Sequence, residues 1–319
     1  MTRHGLIADI GGTNARFARV TPDGVFHDPL VLPCAEFPGP VEAARAYLER
    51  IKAPVQPIRG AFAVAAPILN DRVRFVNNPW DFGIPETRDA LELDHLTAVN
   101  DFAALALALP RLGPADSRPI GGGAAVLGAP MTVLGPGTGL GVAAMVPGRT
   151  GWVALPTEGG HSTLAAGNDR EAALIGRIRA RFGHVSAERA LSGPGLVHLH
   201  DAIREQDGLA PAAITPNQVT AKGSDRSCPI CAEALDCFFG LLGQLASDVA
   251  LLHGAWGGVF LAGGILPRLA DRLAASSFRA RFEDKGRYRD FLKAVPSRLI
   301  THPLPAFVGL AGLIIEEKA

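Results

Sequence analysis

The residues of this chain that could do chemistry fall in two glycine-rich turns and a few scattered carboxylates, amides and imidazoles. The richer turn lies in Val133-Leu134-Gly135-Pro136-Gly137-Thr138-Gly139-Leu140-Gly141, between apolar runs. Chain reversals with little side chain suit the presentation of backbone N–H groups to a small anion, and Thr138 adds a hydroxyl. No Gly-Lys-Ser/Thr follows, so this is not a P-loop. The sixth position counted from Gly135 is Leu140, so it also fails the dinucleotide fingerprint. The run Val142 to Val146 that follows reads as a strand, which makes the stretch a hairpin. A glycine-rich hairpin without a ligand would satisfy the same residues.

A second stretch repeats that grammar. Leu6-Ile7-Ala8-Asp9-Ile10-Gly11-Gly12-Thr13-Asn14-Ala15-Arg16 runs from an apolar strand through a Gly-Thr turn into another apolar strand. Gly137 follows Gly12 by 125 residues, about one domain length. Two phosphate-sized turns, one per half, suggest duplicated domains facing a cleft. Only the first turn carries a carboxylate, Asp9, at the strand end. Bound phosphates would repel it unless a cation lies between, and Mg²⁺ does that for nucleotides.

Five further side chains, in three stretches, could serve a ligand. Asn100-Asp101 stands where the strand Leu96 to Val99 meets an Ala-rich helix, Phe102 to Leu109. In open α/β sheets that strand end faces the ligand crevice. Either residue could simply cap the helix, but one cap needs only one of them. Glu158-Gly159-Gly160-His161 is too glycine-rich for a helix that would pair two metal ligands. As a loop it offers an acceptor and a switchable donor, the complement of sugar hydroxyls, and a plain surface turn would use the same residues. Glu188 sits in the first turn of a helix begun at Ser186, a position the helix dipole alone explains.

These motifs resemble, in order and over almost the whole chain, those of the ATP-dependent bacterial glucokinases, the type distinct from the ROK kinases. Asp9-Ile10-Gly11-Gly12-Thr13-Asn14 and Gly135-Pro136-Gly137-Thr138-Gly139 are similar to the two phosphate motifs of the sugar kinase, actin and Hsp70 ATPase superfamily. The resemblance continues through Asn100-Asp101-Phe102, Glu158-Gly159-Gly160-His161, Gly183 to Arg189, Leu191 to Leu196 and Gly257 to Ile265. It implies two actin-like (RNase H-like) α/β domains flanking a cleft. One is a small domain over 1–110, completed by a C-terminal helix at 300–319; the other is a larger domain over 111–299. It implies Mg-ATP held by Gly11, Gly12, Thr13, Asn14, Gly137, Thr138 and Gly139, with adenosine on Gly263 and Gly264 and Asp9 orienting Mg²⁺ through water. It makes Asn100, Glu158, His161 and Glu188 sugar-binding residues, and Asp101 the base that takes the proton of the glucose 6-hydroxyl. A homodimer is the expected assembly. A kinase for another hexose, such as mannose or an N-acetylated amino sugar, is the nearest alternative. An actin- or Hsp70-like machine and a sugar-sensing regulator are more distant ones, lacking here a peptide-binding domain or a DNA-binding extension.

The remaining composition agrees. At 319 residues the chain suits about two domains. Its 31 basic and 31 acidic residues cancel, so nothing supports nucleic-acid binding. No apolar run is expected to reach the ~18 residues of a membrane span, and the N-terminus enters a strand at once, so the cytoplasm is the expected compartment. Cys228-x-x-Cys231, with Cys237 beyond, could suggest zinc or redox chemistry, but it lacks a second Cys or His pair at a fitting spacing and a thioredoxin-like strand before it, so it reads as plain thiols on a helix.

The elements expected to position these groups are short. Beyond the two hairpins, a helix is expected at 41–51, a buried strand at 60–66, a strand at 73–76 and a loop at 77–80 with Trp80 as a packing residue. A helix is expected at 84–91 and a hinge at 111–125. A strand follows at 151–155, then helices at 168–182 and 186–191 and from Pro194 to Gln206. An irregular excursion is expected at 208–227, a long buried helix at 232–253, a helix at 267–275, a strand at 299–301 and a last helix at 305–317. His184 reads as a core or capping histidine.

Overall fold

A computed structural model describes residues 4–75 and 78–316; Val76, Asn77 and Glu317, which the expected elements include, lie outside the described residues. The chain separates into two compact units, Met1–Gly113 with His302–Ala319, and Pro114–Thr301.

The first unit is built on strands β1 (Gly5–Ile10), β2 (Asn14–Val20) and β3 (Phe26–Pro33), helix α1 (Pro40–Arg50), and strand β4 (Arg59–Val64). A small hairpin sheet of β5 (Ile68–Leu69), β6 (Arg72–Arg74) and β7 (Asp81–Gly83) follows, then α2 (Ile84–Ala90), β8 (His95–Asn100) and α3 (Asp101–Ala108). The main sheet runs β3-β2-β1-β4-β8. Its first three strands are an antiparallel meander, and β4 and β8 run parallel to β1. β1 is apolar almost throughout because both its faces are covered. Leu6, Ala8 and Ile10 point to one side, with Tyr47 of α1 and Trp80. Ile7 points to the other, with Ala104 of α3 and Phe307 and Leu310 of the C-terminal helix Pro305–Glu316. Burying each such large side chain stabilises by roughly 1.5–3 kcal/mol. A Cβ on Gly309 would collide with the Ala104 carbonyl, so the C-terminal helix crosses α3 at close range.

The second unit repeats the plan. It contains β9 (Ser117–Gly121), β10 (Met131–Pro136), β11 (Leu140–Gly148), β12 (Gly151–Thr157), α4 (Asp169–Phe182), α5 (Ala187–Ala190), α6 (Gly193–Gln206), α7 (Pro216–Ser224), α8 (Pro229–His253), β13 (Gly258–Leu261), α9 (Ala270–Ala274), α10 (Phe278–Glu283), α11 (Arg289–Ala294) and β14 (Ser297–Ile300). Its sheet runs β12-β11-β10-β13-β14-β9. An antiparallel meander of β10, β11 and β12 is again followed by two parallel strands, β13 and β14, and β9 closes the edge antiparallel to β14.

Several expectations change. The stretch 111–125 supplies β9, because its backbone finds a partner in β14 that a local reading does not contain. The excursion at 208–227 contains α7, started by a Thr215–Gln218 capping box. Residues 266–274 split into a 3-10 turn and the short α9. Ser186 makes no side-chain cap for α5; its backbone bridges Thr163 instead. His184 is exposed, with its ring 2.9 Å from the Thr163 hydroxyl. Trp80 is 1% exposed and donates Nε1–H to the Phe37 carbonyl, so it packs. One apolar segment does reach membrane-span length: Pro229–His253 qualifies by length and composition, but 67% of its most apolar window is buried inside the second unit.

Candidate functional site

In the first unit the parallel register aligns three strand ends. Ile10 pairs with Val64, and Val64 with Asn100. Two strand spacings therefore separate the first glycine turn from Asn100, about 10 Å. Asp9 leaves β1 on the same face as Ile7, the face α3 covers, and Asp101 is the first residue of α3. Alternation along β1 and the parallel register thus bring Asp9, the Gly11–Asn14 turn and the Asn100-Asp101 pair to the C-terminal end of the parallel strands.

The first turn is fastened on its inner side. Gly11 N–H donates to the Asn14 carbonyl at 2.9 Å, and Cys34 N–H donates to the Thr13 carbonyl at 2.8 Å. Asn78 Nδ2 donates to the Gly11 carbonyl at 2.9 Å. Gly12 and Thr13 are exposed, and among the described residues nothing uses their N–H groups or the Thr13 hydroxyl. That is the arrangement an anion cradle needs.

Asp9 faces Arg16 across the hairpin, with Nη1 3.2 Å from Oδ2. Burial pushes the Asp9 carboxyl above its usual range, and the Arg16 charge and hydrogen bond offset part of that rise. At α3 the Asn100 side chain accepts from the N–H groups of Phe102, at 2.9 Å, and Ala103, at 3.4 Å. Asn100 is thus the helix cap. Asp101 Oδ1 accepts from Phe102 N–H as well.

In the second unit Gly263, at φ +85°, and Gly135 lie back to back. A Cβ on Gly263 would strike the Pro136 carbonyl, and one on Gly135 would reach Gly263 N at 2.8 Å. The Gly263-Gly264 turn therefore sits against the entry to the Gly137–Gly139 turn, an approach only glycine permits. The turn itself is held by Gly137 N–H on the Gly139 carbonyl and by Gly193 N–H on the Gly137 carbonyl, both 2.8 Å. Glu188 Oε2 accepts from Leu140 N–H at 2.9 Å. Thr138 is exposed at the tip.

The Glu158–His161 segment joins this group. Gly159–His161 is a 3-10 turn, with His161 N–H on the Glu158 carbonyl at 2.9 Å, and both side chains are exposed. A Cβ on Gly160 would collide with the Leu140 carbonyl. Ala187 N–H donates to the Ser162 carbonyl at 2.8 Å, tying the loop to α5. So the Glu158–His161 segment, through Gly160, and the Glu188 carboxylate both meet Leu140, the residue that leaves the glycine turn.

A family model for glucokinases matches residues 6–317. The chain belongs to the glucokinase family. It is 52% identical over 319 residues to a glucokinase of Paramagnetospirillum magneticum, covering 100% of this chain and 99% of that protein. It is 48% identical to a glucokinase of Aromatoleum aromaticum, covering 98% and 95%. Among solved structures it is similar to a glucokinase from an Antarctic psychrotroph, with TM-score 0.91 and 36% identity, over 98% of this chain and 99% of that one. The glucokinases use ATP to phosphorylate glucose, and this chain is an enzyme of that class.

Among the described residues no group of three or more His, Cys, Asp or Glu could cage a metal. Mg²⁺ needs none: it keeps several waters and takes one or two carboxylates beside the substrate phosphates. Asp9 at the edge of the first turn fits that demand, with Arg16 holding only its Oδ2. Arg16, Asn78 and Gly193 are not candidates in the sequence, and Gly160 counts there only as a residue that argues against a helix. A period-two count along the first hairpin would have found Arg16, which falls opposite Asp9. The other three act across long sequence separations that spacing does not reveal.

Proposed function

We propose that this chain transfers the γ-phosphoryl group of Mg-ATP to the 6-hydroxyl of glucose, giving glucose 6-phosphate, with Asp101 as the general base. The observation that carries this assignment is the strand register: Ile10, Val64 and Asn100 pair in turn, so Asp101 follows the same end of the sheet as the Gly11–Asn14 turn. Phosphoryl transfer asks the protein for in-line placement, charge neutralisation and an acceptor for the alcohol's proton. The exposed N–H groups of Gly12 and Thr13, with Gly11 and Asn14 completing the turn, serve one set of phosphate oxygens. Gly137, Thr138 and Gly139 serve another, and adenosine lies on the side-chain-free Gly263-Gly264 turn. Bound beside Asp9, Mg²⁺ would neutralise phosphate charge.

Asn100, Glu158, His161 and Glu188 hydrogen-bond the other sugar hydroxyls. A polar site of this kind rejects sugars that leave one of its groups unpaired. Its working form is a homodimer in the cytoplasm. The test is a coupled assay over a panel of hexoses with ATP, with and without sugar. Turnover should require glucose and fall for mannose and N-acetylated amino sugars. A better substrate among those two would reassign the enzyme to another hexose, and ATP hydrolysis independent of sugar would overturn the reading.

A further inference from the structure

We propose that Cys228 and Cys231 form a reversible dithiol–disulfide couple that exchanges with low-molecular-weight disulfides of the glutathione class. Cys228 is the N-cap of α8, the 25-residue helix at the centre of the second unit, and its Sγ accepts from Cys231 N–H at 3.4 Å. One turn of helix sets the two Cα atoms about 5 Å apart, inside the range a disulfide bridges without backbone movement. Cys228 is partly exposed, whereas Cys231 is fully buried. α7 packs closely on the backbone of this buried residue: a Cβ on Gly223 would stand 2.6 Å from the Cys231 carbonyl oxygen. An accessible outer sulfur and a sheltered inner one within reach make an attacking thiol and a resolving thiol.

The electrostatics divide the two the same way. Burial pushes the Cys228 thiol up, but the backbone and thiol hydrogen bonds from Cys231, the Ile230 N–H and the Lys222 charge together bring it below its ordinary value. Burial, with the neighbouring Cys228 sulfur, pushes Cys231 up to about 11. The other two cysteines do not compete. Cys34 is buried and raised, and burial pushes Cys237 up to about 12. A zinc site is not built here, since among the described residues no third ligand joins the pair.

In the exchange, the Cys228 thiolate attacks one sulfur of the external disulfide. That S–S bond breaks, and one small thiolate leaves with its electron pair. Cys231 then gives its proton to solvent and attacks Cys228 Sγ, expelling the second small thiolate. The cysteine pair loses two electrons, and the external disulfide gains them as two thiols.

The full-length protein is equilibrated with glutathione buffers of graded ratio, quenched in acid, alkylated after unfolding and mapped by peptide mass. Cys228 and Cys231 should lose alkylation together, with a two-electron dependence on the glutathione ratio, while Cys34 and Cys237 stay alkylated. Cys231→Ser should trap glutathione on Cys228. Cys228→Ser should leave Cys231 reduced at every ratio, and because serine is a strong N-cap this variant should keep the parent melting temperature. Independent titration of the two thiols, a stable glutathione adduct on the parent protein, or no change in oxidised glutathione would each overturn the proposal.

Discussion

Replacing Glu188 separates a residue that would touch only sugar from one that also shapes the Gly137–Gly139 turn, the proposed nucleotide cradle. Its carboxylate accepts from Leu140 N–H at 2.9 Å, immediately after Gly137–Gly139, and Leu140 is only 5% exposed. In Glu188→Ala that N–H loses its charged acceptor in a place water reaches poorly. Hydrogen bonds to charged groups contribute about 1.5–3 kcal/mol. Expressed wholly as weaker binding by the turn, that loss is a rise of roughly 10- to 150-fold in KM for ATP. The same variant should weaken glucose binding, since the proposed sugar contact would go too. Glu188→Gln keeps an oxygen for Leu140 N–H, so its KM for ATP should stay within about threefold of the parent, one weak hydrogen bond's worth, while glucose still suffers. Steady-state kinetics with each substrate varied at saturating levels of the other reads both. An unchanged KM for ATP in Glu188→Ala, with only glucose affected, would refute the idea that one carboxylate serves both sides of Leu140.

Other outcomes follow from the same geometry. Asp101→Asn should bind glucose normally by calorimetry yet lose about 10²- to 10⁴-fold in kcat, the usual worth of a general base; normal turnover would remove Asp101 from that role. Gly263→Ala forces a side chain to φ +85° and against the Pro136 carbonyl, so it should lower the melting temperature and raise KM for ATP; parent-like values would show that the turn yields. Asp9 titrates higher folded than its ordinary 3.8, so folding favours its protonated form. Its stabilising contribution is present below pH 3.8 and is lost as pH rises through the folded value. The stability of the parent relative to Asp9→Asn should therefore fall from pH 3 towards neutrality in urea titrations, although the variant loses activity. A gap that widened with pH would contradict the burial argument. Glu171 is 4% exposed and meets Arg281 through two bonds of 2.8 and 2.9 Å, so Glu171→Ala should cost about 3–5 kcal/mol in urea unfolding. A loss under 1 kcal/mol would mean that water reaches the orphaned guanidinium.

What the sequence disclosed was set by how local each cause is. The hairpins around Gly11–Thr13 and Gly137–Gly139 were legible because strand, turn and strand are contiguous and their apolar runs are unbroken. The cap at Asn100 was legible as a choice between two neighbours, and hydrogen-bond geometry decides it. β9 was not legible, because a Pro/Gly-rich strand is a strand only through its partner β14, far along the chain. α7 was hidden by polar composition, though its capping box was readable in Thr215 and Gln218. The bond from Leu140 to Glu188 spans 48 residues, and no periodicity encodes it.

That long-range bond changes how the second unit's glycine turn should be understood. A loop with glycine at 137, 139 and 141 would be mobile by itself, and a mobile cradle pays an ordering cost each time it binds an anion. Here one short segment removes that freedom from both ends. Gly193 N–H fixes the Gly137 carbonyl, Glu188 fixes Leu140 N–H, and Ser192, which accepts from Gly195 N–H as the cap of α6, also donates its hydroxyl to the Glu188 carbonyl at 2.8 Å. The 188–193 segment is therefore a brace with its own internal hydrogen bonds. If Glu188 also holds sugar, the brace is more ordered with sugar bound, and the turn it holds should bind nucleotide more tightly. By linkage the reverse holds to the same factor. Dissociation constants for a non-hydrolysable ATP analogue, with and without glucose, measure that coupling. It should be favourable in the parent and vanish in Glu188→Ala, and equal coupling in both would place its origin outside this brace.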